Sequence, residues 1–121
     1  MYQIIFYKDK NGNEPIREYI KDLRAKTDKN SRIKANKLLE YLDALERYGK
    51  AAGEPYAKHL DGEIWELRPL RDRVLFASWS GCKFILLHHF MKDTQRTPRR
   101  EIEKAKRNLA DHLERSKVDE Q

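Results

Sequence analysis

"EIWELRPLRDRVLFASWSGCKFILLHHF", residues 63–90, is the stretch that decides the fold. It divides into three runs rich in β-branched and aromatic residues, about 63–69, 73–80 and 83–90, with "WSGCK" as the second turn between them. Short runs of this kind bounded by turn residues predict strands. Side chains alternate across a strand, so each run can be sorted by face. In the first, Ile64, Glu66 and Arg68 share one face, and Trp65 and Leu67 take the other. In the second, Arg73, Leu75 and Ala77 oppose Val74, Phe76 and Ser78. Arg68, Arg71 and Arg73 therefore crowd one turn between segments that otherwise want burial, with Glu66 one step along.

Outward from this stretch the pattern changes period. "YQIIFYK" (2–8) reads as a strand and is closed by the turn signal "DKNGN". Pro15 suits a first helical turn, and Ile16, Tyr19, Ile20 and Leu23 follow at helical spacing. A second helix is expected over 29–48, its inner face carrying Ile33, Leu38, Leu42 and Leu45, with Gly49 where helices commonly stop. The two helices form an antiparallel pair joined near "KTDKN". Residues 49–62, with Lys58 among them, read as a loop containing three glycines and a proline. Thr97 is a natural N-cap and Pro98 a natural first residue for a closing helix to about 116, with Ile102, Ala105, Leu109 and Leu113 on one face. The order β-α-α-β-β-β-α describes an α+β fold: a small, mainly antiparallel sheet, a two-helix hairpin after the first strand and a C-terminal helix. With 121 residues and no repeat or linker, a single domain over 1–121 is expected.

Charged residues make up 38% of the chain and the net charge is +6, which favours a polyanionic partner through long-range attraction. Cys82 is the only cysteine, so neither an intramolecular disulfide nor a cysteine-based zinc site can form. The first apolar run, Ile4 to Tyr7, is too short for a leader peptide or a membrane span. A cytoplasmic protein is the expectation.

Two readings fit the arginine turn. In one, Glu66 neutralises the arginines as a surface ion-pair cluster. In the other, the arginines form an anion site, because guanidinium forks match phosphate geometry and stay charged at any relevant pH. For the same reason Arg68 and Arg73 cannot act as general bases, whereas they can stabilise negative charge on a phosphate in a transition state. Glu66 is the one nearby carboxylate able to take up a proton. His88 and His89 are adjacent on a strand and point to opposite faces, so they cannot serve one site together. No further ligand falls at a metal-supporting spacing, and no cofactor is expected. Ser78, Ser80 and Cys82 lack the surroundings of a nucleophile. "KDTQRTPRREIEKAKR" (92–107) holds seven basic and three acidic residues. It reads either as a solvated helix start or as a basic rim along a phosphate backbone, to which Thr94, Gln95 and Arg96 belong and which Lys58 extends. Tyr56, Trp79 and Phe90 are candidates for base stacking, and all three suit packing as well.

"KHLDGEIWELRPLRDRVLF" (58–76) followed by "FILLHHFMKDTQRTPRREIEKA" (84–105) resembles the phage-derived, Gp49-like branch of the RelE/HigB toxin superfamily. The shared pattern is an aromatic-E-L-R strand, then R-V-L-F, then L-L-H-x-F-x-K, and T-x-x-T-P opening a helix. The resemblance implies a RelE-like fold and a metal-independent endoribonuclease that cleaves messenger RNA on the translating ribosome. In such toxins the ribose 2′-hydroxyl attacks the adjacent phosphate, leaving a cyclic phosphate and a free 5′-hydroxyl. Carried onto this chain, Arg73 matches the strand arginine that contacts the scissile phosphate. Arg68 matches the arginine ending E-L-R, Lys92 the basic residue after the last strand, and Glu66 is the base. Lys58, Arg71, Thr94, Gln95 and Arg96 are the RNA contacts, with Arg71 at the turn tip the most expendable arginine. Related sequences often carry a denser basic run where Lys92 here stands between Met91 and Asp93. The implied partners are a helix-turn-helix, HigA-like antitoxin in a hetero-oligomer, the ribosome and its mRNA, and operator DNA only through the antitoxin. Two other readings are a ParE-like toxin of the same fold that inhibits gyrase, and a non-catalytic module docking an acidic partner.

Overall fold

The computed structural model describes residues 1–119. Along them lie β1 (Gln3–Phe6), α1 (Pro15–Ala25), α2 (Lys29–Tyr48), β2 (Lys58–Asp61), β3 (Ile64–Leu67), β4 (Asp72–Trp79), β5 (Lys83–Met91) and α3 (Arg99–Asp119), with a 3-10 turn at Gly49–Ala52. The fold is α+β, with the helical hairpin after the first strand and the closing helix at the C-terminal end as the sequence predicts. The sheet order is β1-β5-β4-β3-β2; β1 runs parallel to β5 and the other neighbours are antiparallel.

The sheet gains one strand over the expectation. Lys58 lies not in a loop but on β2, which pairs with β3 through Lys58 opposite Glu66 and His59 opposite Trp65. The signal for this hairpin is Asp61-Gly62: Gly62 takes a left-handed φ of 57°, as tight hairpin turns require.

α1 and α2 cover one sheet face, where Ile16, Ile20, Leu38, Leu42 and Leu45 pack on Leu67, Val74, Phe76, Phe84 and Leu86. α3 covers the other, with Ala105 and Leu109 against Ile64, Leu75, Ala77, Ile85 and Leu87. The face assignments read from β3 and β4 are these two layers. Asp28 caps α2 by accepting the Ser31 amide at 3.0 Å. Ile33 is not on the inner face: it is 43% exposed. It precedes Leu38 by five residues, which turns it about 140° away, and Ser31 and Ala35 take the inner positions instead. Leu113, in the later turns of α3, is also exposed.

Gly49 ends α2 with φ 60°, its amide donating to the Leu45 carbonyl. A Cβ there would lie 2.7 Å from Cε2 of Tyr2. Gly49→Ala is expected to lose about 2 kcal/mol of stability, from left-handed strain and the displaced Tyr2 ring together, measured by urea unfolding. Stability equal to the parent would show that the ring moves freely.

β4 and β5 pair residue for residue until the register shifts: Phe76 faces Leu86, but Leu75 faces His88. Leu87 is the extra residue of a β-bulge, and its carbonyl accepts Nδ2 of Asn108 from α3 at 2.8 Å. Leu87 and His88 consequently both face α3, and the alternation beyond them is inverted.

Candidate active site

The α3 face of the sheet, at the end near the arginine turn, carries a lateral row. Lys58 on β2 is opposite Glu66 on β3, which is opposite Leu75 on β4, while Arg73 is opposite Phe90 on β5. Above this row the segment between β5 and α3 folds back over the sheet. Between them lies a groove of about 610 Å³ whose lining includes Lys58, Arg68, Gln95, Arg96, Thr97 and Arg99, and no carboxylate.

Glu66 lies directly beneath. It is fully buried, and both of its oxygens are engaged: Oε1 accepts Nε of Arg68 at 2.5 Å and Oε2 accepts the Thr97 hydroxyl at 2.6 Å. Thr97, the cap that the sequence predicts for α3, sends its hydroxyl proton down to the sheet. The contact latches the 92–98 segment to the sheet across the groove, and the Pro98 carbonyl accepts the first helical amides, from Glu101 and Ile102. Arg68 spans the groove wall, with its guanidinium held by a buried anion and its side chain still 29% exposed. That is an oriented cation facing solvent, the arrangement an anion site needs.

Arg73 is placed differently from Arg68. It is 7% exposed and its Nη1 donates to the Leu70 carbonyl at 2.9 Å and the Asp72 carbonyl at 2.8 Å. Burial, reinforced by the nearby charge of Arg68, holds its pKa below the usual arginine value. It fastens the turn from beneath, where Leu70 takes a left-handed φ of 59°. Arg71 and Lys92 clamp the two strand ends: the Lys92 amide donates to the Arg71 carbonyl at 2.8 Å, and Nη2 of Arg71 donates to the Lys92 carbonyl at 3.0 Å. Arg71 thus has a structural bond that its place at the turn tip did not reveal. The Thr94 hydroxyl donates to the Arg96 carbonyl at 2.6 Å and shapes the loop that presents Gln95 and Arg96. Of the nine candidate residues, Lys58, Arg68, Gln95 and Arg96 line the groove, with Glu66 under it; Arg73, Arg71, Lys92 and Thr94 support its walls.

Sequence reading did not single out Arg99, although it falls within the basic run 92–107. Arg99 lines the groove while paired with Asp61 and Glu103, and Asp61 also holds Lys106 at 3.0 Å. Its signal was the R-R pair after Thr97-Pro98, since the first turn of a helix beginning there must return over the sheet.

The two histidines do point apart. His88 faces α3, donating from Nε2 to Glu101 at 3.2 Å and stacking on Phe90 at a 5.8 Å centroid separation. Burial pushes its pKa below the usual value, against the pull of Glu101. His89 faces α1, donating from Nε2 to Oδ1 of Asp72 at 2.9 Å and stacking on Tyr19 at 4.0 Å. The stacking candidates also separate. Phe90 is on the groove face, whereas Tyr56 packs on Tyr41 and Trp79 on His112.

On the opposite side of the same turn, Asp72 is 1% exposed and its Oδ1 accepts both the Tyr19 hydroxyl at 2.7 Å and His89. Burial alone would raise its pKa, but these donors and the nearby Lys34 bring it below the usual carboxylate value. Its Oδ2 is buried without a partner. The turn is thus anchored on both sheet faces, by Glu66 and Arg68 on one and by Asp72 on the other.

No helix among the described residues is long and apolar enough to cross a membrane. No curated protein matches the chain. The family described as phage-derived protein Gp49-like (DUF891) matches residues 18–110, a span that runs from α1 through the groove to the middle of α3. The chain belongs to this Gp49-like family, which is part of the RelE/HigB-type toxin group and implies an antitoxin partner.

Proposed function

We propose that residues 1–121 act as one toxin domain, a metal-independent, ribosome-dependent mRNA endoribonuclease neutralised by a helix-turn-helix, HigA-like antitoxin. The observation that carries this reading is the groove lined by Lys58, Arg68, Arg96 and Arg99 with no carboxylate at its surface. A groove with that lining attracts a phosphate backbone and repels acidic side chains. Arg68 is assigned the scissile phosphate, because it is the groove cation held rigid by a buried partner. Arg73 and Lys92 fix the walls and add positive potential. Lys58, Gln95 and Arg96 grip the strand, and Arg71 and Thr94 act through the loops they hold. Glu66 holds Arg68 in place. It takes the 2′-hydroxyl proton only if Thr97 releases Oε2, since both oxygens are otherwise occupied.

The test uses groove residues from two elements, half-buried Lys58 on β2 and exposed Arg96 on the loop before α3. Lys58→Ala and Arg96→Ala are expected to fold normally and to weaken RNA binding across all sequences. Each should lower the slope of log affinity against log salt by about one. Cleavage is read as mRNA fragments in translating extracts, beside gyrase supercoiling. Wild-type binding and cleavage in both variants would place the RNA elsewhere. Growth arrest that tracks gyrase inhibition with intact mRNA would favour the ParE-like reading.

A further inference from the structure

The solvent face of α3 carries charge that the fold does not use. Ile102, Ala105 and Leu109 turn toward the sheet and are buried. At about 100° per residue, Arg100, Lys104 and Arg107 fall within an arc of about 60° on the opposite side of the helix. All three are exposed, and none of them lines the groove. The carboxylates that helical spacing offers them are Glu101, Glu103 and Asp111. Each is held by another residue: Glu101 by His88 at 3.2 Å, Glu103 by Arg99 at 2.8 Å, and Asp111 by the Tyr7 hydroxyl at 2.5 Å and Arg115 at 2.8 Å. Among the described residues the row therefore has no counter-charge of its own. It also works against the helix. Arg100 stands in the first turn, where the macrodipole disfavours a cation, and Arg100 and Lys104 are like charges at i,i+4. On α2 such spacings instead pair Lys37 with Glu40 and Arg47 with Asp43. The cations at the α1–α2 corner, Lys26, Lys29 and Arg32, are interleaved with Asp22 and Asp28.

We propose that this row docks the phosphate backbone of a double-helical RNA, while the groove takes a single strand. Arg100 to Lys104 is a rise of about 6 Å and Lys104 to Arg107 about 4.5 Å, so the cations form a straight, convex row about 10 Å long. A duplex presents fixed phosphates to such a row, and it is held through its shape and backbone. A single strand is held instead in a groove with aromatic side chains for its bases, and this face has neither. A protein partner needs an apolar centre to bury. Beside the three cations this side of α3 offers only Glu103, Ala110, Asp111 and Glu114, none of them aromatic or a large aliphatic. Asp111 and Glu114 end the row and confine the contact to the first half of the helix. The choice of RNA over DNA rests on the ribonuclease reading, whereas the unpaired row does not.

Fluorescence anisotropy of the full chain with a blunt RNA duplex, a DNA duplex of the same sequence and a single-stranded RNA, each over a range of salt, tests the row. The triple variant Arg100→Gln, Lys104→Gln, Arg107→Gln is expected to bind the RNA duplex at least tenfold more weakly. Its slope of log affinity against log salt should fall by about two to three, since each phosphate contact contributes about 0.9. Single-strand binding and mRNA cleavage should stay within about twofold of the parent, because the groove is untouched. Lys58→Ala should show the reverse pattern. On the unaltered chain the RNA duplex should shield the Lys104 amine from acetylation and leave Lys58 reactive, a readout independent of how the variant folds. Undiminished duplex binding by the variant, or shielding of Lys58 and not of Lys104, would overturn the proposal. Equal affinity for the two duplexes would overturn the assignment to RNA. Duplex binding that depends on the row, in a chain that cleaves no mRNA, would uphold the row and remove the ribonuclease reading. Cleavage without duplex binding would do the opposite.

Discussion

Arg68→Ala is expected to lower mRNA cleavage by about 10²- to 10³-fold, the loss seen when one preorganised charge-stabilising donor is removed from a transition state. The same substitution should cost about 3–5 kcal/mol of stability, because it strips the cation from a carboxylate that is fully buried. The two effects share one geometry: the bond that orients the guanidinium toward the groove also neutralises Glu66. They separate in a double variant. Arg68→Ala with Glu66→Met removes the stranded charge as well as the arginine, and is expected to recover most of the stability but none of the cleavage. Recovery of both would reduce Arg68 to a structural partner. Glu66→Gln alone refines the assignment. Slowed cleavage with RNA binding kept would fit a proton acceptor, and equal loss of both would fit an organiser of Arg68.

Asp72→Asn is expected to destabilise the fold by about 2–3 kcal/mol at neutral pH without touching any groove-lining residue. The amide oxygen can still accept from Tyr19 and His89, but the amide nitrogen must occupy the place of Oδ2, which has no partner and no water-exposed outlet. A buried donor left unpaired costs about 1–3 kcal/mol, and the weakened bonds to a neutral acceptor add to it. The pH dependence has a definite sign. The folded pKa of Asp72 lies below its ordinary value, so its carboxylate stabilises the protein above the unfolded value of about 3.9 and loses that contribution as pH falls through the folded value. The stability gap between parent and variant should therefore narrow below about pH 4 in urea unfolding at a series of pH values. A gap that is constant from pH 7 to pH 3 would show that the charge of Asp72 does not matter. Because Asp72 anchors the turn from the face opposite Glu66, residual cleavage in this variant also reports how far the turn itself sets the groove.

Local patterning made much of this molecule legible. The end of α2 at 48 followed from the glycine after it, which acts within one turn of the chain, whereas the Asp28 cap before it was seen only in the structure. The face assignments of β3 and β4 followed from alternation, and they put Glu66 and Arg68 on one side of the sheet before any neighbour was known. The resemblance in 58–107 named the family that the match over 18–110 then showed. Ile33 misled because a single apolar residue on a long helix satisfies composition without satisfying phase.

The sequence by itself determined the strands and helices other than β2, and which side chains of β3 and β4 share a face, because these depend on periods of two and 3.6 residues within one segment. Only the tertiary structure decided what those side chains meet. Strict alternation along β5 puts His88 with Phe84 and Leu86, but the bulge at Leu87 turns it to α3 and gives His89 to Asp72 and Tyr19. A register shift belongs to a pair of strands, not to either one alone, so no single run carries its signature. The same is true of Thr97 on Glu66, a bond across 31 residues of sequence, and of Arg73 turned inward to backbone carbonyls. Three arginines at one turn were visible from the start. Which of them faces an anion was set by the buried carboxylate beneath one and the backbone oxygens around another.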